Sequence, residues 1–155
     1  LLADNDTARA HMLACAAEHG VAAERLIFAP RVSPAEYLAR FQLADLMLDT
    51  FPFNAGTTAS DALWMGLPIV TLAGRSVISR MAGSLLTAIG LPELITETLA
   101  DYEALAIRLG RQPARIGSLK RYLAEEGRRS PLFDVPARVR DIEAAFERLA
   151  LQARG

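Results

Sequence analysis

The stretch that decides the fold is residues 46–66, which read LMLDTFPFNAGTTASDALWMG. Leu46 to Leu48 form a short apolar strand that ends at Asp49, and a polar loop of small residues, Asn54 to Gly56, follows. Thr57-Thr58 then start a helix that runs through Met65. This strand, loop and helix order is typical of an open parallel α/β sheet, in which ligands bind beyond the carboxyl ends of the strands.

On both sides of this stretch, short apolar runs alternate with longer segments of helical period, which is the pattern of parallel sheets covered by helices. The fold class predicted is therefore α/β with a Rossmann-like parallel sheet. The further elements are a helix over 5–19 closed by Gly20, a strand over 25–28, a helix from Ser33-Pro34 to about Leu43, a strand over 69–72, a helix over 79–89 closed by Gly90, and a strand at 94–95.

From Leu99 onward the pattern is helical, with breaks near Pro113 and around Ser130-Pro131. We treat residues 1–155 as one domain with 113–155 as a helical C-terminal extension, and the length fits a single compact domain. Because Leu1-Leu2 directly precede a helix, we expect the first strand to be truncated. In the last helix Val139, Ile142, Phe146 and Leu149 share one face, which we expect to pack partly outside this domain.

Composition narrows the classes of function. The formal net charge is -1, from 17 basic and 18 acidic residues, so no nucleic-acid or membrane-surface partner is indicated. One cysteine and two histidines without ligand spacing predict neither disulfides nor a metal site, and no cofactor is expected. No apolar run approaches the roughly 18 residues of a membrane span, so we expect a cytoplasmic protein.

The loop has a direct chemical interpretation as an anion site. A helix start presents free backbone N–H groups and a positive dipole end, and Ala55-Gly56 allow a diphosphate to approach closely. Thr57 and Thr58 add hydroxyl donors, and the Asp61 carboxylate can accept both hydroxyls of a ribose. The alternative is purely structural: Thr58 is the N-cap and Asp61 completes a capping box with it.

Two neighbours of the loop have structural interpretations. Asp49 at the end of a strand is expected to cap the backbone and not to act in catalysis. Leu63, Trp64 and Met65 follow the loop at helical spacing and are expected to pack in the core.

Residues 48–74, LDTFPFNAGTTASDALWMGLPIVTLAG, resemble the signature of the O-GlcNAc transferase and SPINDLY glycosyltransferase family. The similarity extends from about Arg25 through Ser130-Pro131-Leu132-Phe133. It implies the two-domain GT-B fold, of which this chain resembles the C-terminal, Rossmann-like, nucleotide-sugar-binding domain.

The resemblance also implies roles for individual residues. Thr57 and Thr58 match residues that contact the diphosphate, and Asp61 matches the one that binds the ribose. Gly56 stands where animal members have a histidine that assists the diphosphate, so a backbone amide is expected to serve there. Upstream, Tyr37 replaces a nucleotide-contacting histidine, and Arg40 matches an arginine near the uracil. An arginine on an exposed helix is more often a solvated side chain, which is the alternative for Arg40.

The activity implied is inverting, metal-independent transfer of N-acetylglucosamine from UDP-GlcNAc to protein serine or threonine. The family's leaving-group lysine, its acceptor half and its tetratricopeptide repeats lie upstream of residue 1, so no catalytic residue is assigned here. We expect the isolated chain to be inactive. Alternatives are another donor or acceptor, such as GDP-fucose or asparagine, and a non-catalytic nucleotide-sugar-binding scaffold. The scaffold stays open because of the departures at Tyr37, at Gly56 and at Pro34, where the family has a lysine that assists the ribose.

Overall fold

The structure is a computed structural model that describes residues 5–153. It divides into two compact units, one up to Tyr37 and one from Leu38 onward. The length alone predicted one compact domain.

The first unit is helical. Helix α1 (Asp6–Glu18) begins at Asn5, whose side chain accepts a hydrogen bond from the Ala8 backbone N–H at 2.7 Å. Gly20, with a φ of 71°, closes it as predicted. A 3₁₀ turn (Ala23–Arg25) follows, and helix α2 (Pro34–Arg40) begins after Ser33.

The strand predicted over 25–28 is wrong. Arg25 ends the 3₁₀ turn, Leu26 has extended backbone angles, and none of residues 26–28 is assigned to a strand. The ring of Phe28 instead lies under the guanidinium group of Arg9, 4.9 Å from the ring centroid.

The second unit contains a three-stranded parallel sheet in the order β1-β2-β3. The strands are β1 (Met47–Leu48), β2 (Ile69–Leu72) and β3 (Ile95–Thr96). Met47 pairs with Ile69, and Leu72 pairs with Thr96. The predicted parallel α/β sheet is confirmed, and the two outer strands each begin one residue later than predicted.

The helices of this unit cover the sheet and close the core. They are α3 (Thr57–Trp64), α4 (Met81–Ala88), α5 (Leu99–Gly110), α6 (Pro113–Glu125) and α7 (Val135–Gln152), with 3₁₀ turns at Phe41–Leu43, Ile78–Arg80, Pro92–Leu94 and Gly127–Arg129. Fully buried side chains from β2, α3, α4 and α6 fill the centre: Leu63, Ile69, Val70, Leu86 and Leu123. Burial of such residues from water is the main force that holds the sheet and helices together.

Helix α7 differs from α3, α4, α5 and α6 because it buries none of its described residues. The four apolar side chains predicted to share one face are all exposed, from 47 % for Val139 to 68 % for Phe146. What packs on this face stays a prediction. Among residues 5–153, no helix has both the length and the apolar character that crossing a membrane requires.

Candidate functional site

The candidate site is the loop that leads from the carboxyl end of β1 into α3. Its first anchor is Asp49, which is 2 % exposed. One carboxylate oxygen accepts from the Ala55 N–H at 2.8 Å, and the other accepts from the Thr71 hydroxyl at 2.7 Å. Asp49 therefore holds the backbone, as the sequence predicted. Its carbonyl oxygen accepts a further hydrogen bond from the Tyr102 hydroxyl at 2.9 Å.

The second anchor is Asn54, which is fully buried. Its amide nitrogen donates to the carbonyl oxygens of Thr50 at 2.8 Å and Leu72 at 3.4 Å, so it connects the loop to the end of β2. Its side-chain oxygen is buried and has no donor among the described residues. At the opening of the loop, the Thr50 hydroxyl donates to the Phe53 carbonyl oxygen at 2.6 Å.

Helix α3 begins without a side-chain cap. Its N-cap residue is Gly56, which has no side chain, and Thr57 and Thr58 are its first two helical residues. The first hydrogen bond of the helix runs from the Ser60 N–H to the Gly56 carbonyl. The N–H groups of the residues between them have no partner within the helix, and they point with the positive end of the helix dipole out of the carboxyl edge of the sheet.

The capping-box alternative for Thr58 and Asp61 is therefore wrong, because Thr58 lies two positions inside the helix. A side-chain cap between a threonine and the aspartate three residues later does start α5. There the Thr98 hydroxyl accepts from the Asp101 N–H at 3.1 Å and donates to the Asp101 carboxylate at 2.6 Å.

The predicted residues Gly56, Thr57, Thr58 and Asp61 lie together on the first turns of α3. Thr57 and Thr58 are exposed, and Asp61 is half-buried. Asp61 follows Thr58 by three residues and Thr57 by four, so all three share a helix face. A Cβ added at Gly56 would meet only the terminal methyl of Met81, at an ordinary contact distance of 3.5 Å.

Tyr37 and Arg40 lie three residues apart on α2, and both are half-buried. Tyr37 belongs to the first unit and the α3 loop to the second. Their contact with a nucleotide stays a prediction.

Trp64 corrects a sequence expectation. Leu63 is fully buried as predicted, but Trp64 is 43 % exposed. Its ring makes an edge contact with Phe133 at 5.0 Å between centroids, and the Arg128 guanidinium lies 5.1 Å from its centroid. Trp64 thus ties α3 to the chain after α6 at the surface.

Tyr102 is the main residue of this region that the sequence did not predict. Burial raises the pKa of its hydroxyl above 10.0, and the negative charge of Asp49 raises it further. Tyr102 therefore stays neutral as a donor to the loop. Its partner lies 53 residues away, so no local spacing could have revealed the pair. Among the described residues no group of three His, Cys, Asp or Glu side chains is placed to hold a metal ion.

A parallel sheet with an uncapped helix start at its carboxyl edge is the arrangement of the nucleotide-binding α/β domains. The sequence profile of glycosyl transferase family 41 matches residues 1–142, and the chain belongs to this family.

Relatives of the chain have consistent names. It is 36 % identical over 133 residues to a UDP-N-acetylglucosamine–peptide N-acetylglucosaminyltransferase of Caenorhabditis elegans, covering 86 % of this chain and 12 % of the relative. It is 32 % identical over 142 residues to SPINDLY of Hordeum vulgare, a probable UDP-N-acetylglucosamine–peptide N-acetylglucosaminyltransferase. This match covers 91 % of this chain and 15 % of the relative.

The fold agrees with a solved structure, the K341M mutant of Thermobaculum terrenum O-GlcNAc transferase. The TM-score is 0.85 at 31 % sequence identity, over 97 % of this chain and 30 % of that one. This match supports the assignment of the α/β sheet to the GT-B architecture. The chain spans about one eighth to one seventh of the curated relatives' length.

Proposed function

We propose that the start of α3 binds the diphosphate and ribose of UDP-GlcNAc. The observation that carries this proposal is the uncapped helix start at Gly56, with Thr57 and Thr58 exposed beside it. Backbone N–H groups and two hydroxyls there would donate to phosphate oxygens. Asp61, one turn further on the same face, would accept from the ribose hydroxyls.

The protein that contains this chain would then transfer N-acetylglucosamine from UDP-GlcNAc to serine or threonine of a protein acceptor. The names of its relatives support this donor and this acceptor class. In an inverting transfer, the acceptor hydroxyl oxygen attacks the anomeric carbon and releases its proton to solvent, while the bond from that carbon to the diphosphate oxygen breaks and UDP leaves. The α3 donors would stabilise the negative charge that develops on the departing UDP.

This electrostatic role needs no metal, and we propose a metal-independent reaction without a cofactor. The chain itself supplies the donor site and no catalytic residue, so alone it would bind nucleotide without transferring sugar. Sugar transfer to a peptide by the purified 155-residue chain would contradict that assignment.

The donor site is tested by calorimetric titration of the full-length protein with UDP and, in parallel, GDP. We expect saturable UDP binding that persists in EDTA, and at least tenfold weaker GDP binding. Preference for GDP would favour the alternative of a GDP-sugar donor. Absence of binding to either nucleotide would refute the proposed site.

Transfer is tested with UDP-GlcNAc and acceptor peptides that contain serine, threonine or asparagine. We expect modification at serine or threonine. Nucleotide binding without any transfer by the full-length protein would support a binding scaffold in place of an enzyme.

A further inference from the structure

The two anchors of the α3 loop lie beneath its surface. Asp49 and Asn54 are almost completely buried, so neither presents its side chain at the surface where a nucleotide would bind. Both nevertheless hold the segment that enters α3. Asp49 fixes the N–H of Ala55, the residue directly before the Gly56 N-cap, and Asn54 fixes the loop to the end of β2.

We infer that Asp49 and Asn54 are positioning residues, which set the direction of the α3 N–H groups toward the diphosphate. The inference rests on the proposed nucleotide site at the start of α3. An anion site made of backbone N–H groups is only as well aligned as the backbone that carries it. Here the alignment comes from buried hydrogen bonds of both side chains to β2, through Thr71 and Leu72.

Stability alone does not account for these two side chains. Asp49 is a buried carboxylate, and no ion pair involves it within residues 5–153. Asn54 leaves a buried oxygen without a donor in the same part of the chain. Buried charges and unsatisfied polar atoms cost stability that apolar residues would not. The loop geometry that Asp49 and Asn54 impose offsets this cost through nucleotide binding.

The sheet offers a matched pair of variants that separate positioning from stability. The Thr71 hydroxyl donates to the Asp49 carboxylate at 2.7 Å, and the Thr96 hydroxyl donates to the Thr71 carbonyl at 2.9 Å. Both hydroxyls are buried in the sheet. Thr71→Val releases one of the two bonds that orient Asp49, whereas Thr96→Val removes a similar bond that does not reach the loop.

The experiment measures the Kd for UDP of the full-length protein by calorimetry, well below the melting temperature of each variant. We expect Thr71→Val, Asn54→Ala and Asp49→Ala each to raise the Kd about tenfold, the loss of roughly one net hydrogen bond. Asp49→Asn keeps an acceptor for the Ala55 N–H and should restore binding to within about threefold. Thr96→Val should lower the melting temperature as much as Thr71→Val and leave the Kd unchanged.

Wild-type affinity in folded Asn54→Ala and Thr71→Val proteins would overturn the positioning role, even if Asp61→Asn still weakened UDP binding. Equal losses of UDP affinity in Thr71→Val and Thr96→Val would overturn the positioning role as well, because any weakening of the sheet would then reduce UDP binding. Failure of the wild-type protein to bind UDP would instead remove the proposed function, and the positioning role with it. If the alanine variants do not fold, the comparison of the Kd for UDP between Thr71→Val and Thr96→Val tests the positioning role.

Discussion

Asp61 offers the sharpest test of the nucleotide site. It is half-buried on the same face of α3 as Thr57 and Thr58, one turn from the uncapped helix start. If its carboxylate accepts from two ribose hydroxyls, Asp61→Asn removes the charge that strengthens both bonds. Charge-assisted hydrogen bonds of this kind contribute about 1 to 3 kcal/mol. The Kd for UDP should therefore rise about 5- to 150-fold.

The chain contains a matched control for this change. Asp101 also follows a threonine by three residues at the start of a helix, but there the pair forms a true cap with Thr98. Asp101→Asn removes a negative charge from the first turn of α5 and should cost about 0.3 to 1 kcal/mol of stability. It should leave UDP affinity unchanged, because the cap belongs to α5 and not to the α3 loop.

Calorimetric titration with UDP and a thermal melt of each full-length variant distinguish the two roles. The expected pattern is weaker binding in Asp61→Asn and a lower melting temperature with normal binding in Asp101→Asn. Unchanged UDP affinity in a folded Asp61→Asn protein would refute the assignment of the ribose to Asp61.

Three further predictions concern the fold. Gly90 has a φ of 83°, and a Cβ there would lie 2.7 Å from the Tyr122 hydroxyl, so Gly90→Ala should lower the free energy of unfolding by more than about 1 kcal/mol. Gly117 lies in open space within α6, so Gly117→Ala should raise the free energy of unfolding by about 0.5 to 1 kcal/mol. Tyr122→Phe loses the 3.0 Å bond to the Ile89 carbonyl and should cost about 0.5 to 1.5 kcal/mol in urea unfolding. Because the pKa of Tyr102 is raised, the Tyr102 hydroxyl holds its proton to higher pH in the folded state than in the unfolded state. The contribution of this hydroxyl to the free energy of unfolding is therefore full below pH 10.0 and is lost as pH rises through the folded pKa. Melting temperatures across that range should fall less steeply in Tyr102→Phe; equal slopes would contradict this.

Elements that depend on local pattern were predictable. The strand over 69–72 was predicted to the residue, because a short apolar run between Pro68 and a polar loop is typical of a buried parallel strand. Gly20 and Gly90, which end α1 and α4, were also predicted, since each has the positive φ that glycine adopts freely.

Elements that depend on distant partners were not predictable from the sequence. The run predicted as a strand over 25–28 has the composition of a strand, but the structure assigns none of these residues to one. Trp64 was assigned to the core from its helical spacing, yet it packs at the surface on Phe133 and Arg128, about seventy residues later. Spacing along one helix does not reveal which face another segment will cover.

The candidate site combines both kinds of information. Gly56, Thr57, Thr58 and Asp61 are consecutive or nearly so, and the sequence was enough to group them. The contacts that orient them come from β2 and α5. Hydrogen bonds join Asp49 and Asn54 to these two elements across 18 to 53 residues of sequence. Because the groups proposed to meet the diphosphate are mostly backbone, substitutions at the surface of the loop remove few of them. Mutations that weaken nucleotide binding most should therefore include buried polar residues that the nucleotide never contacts.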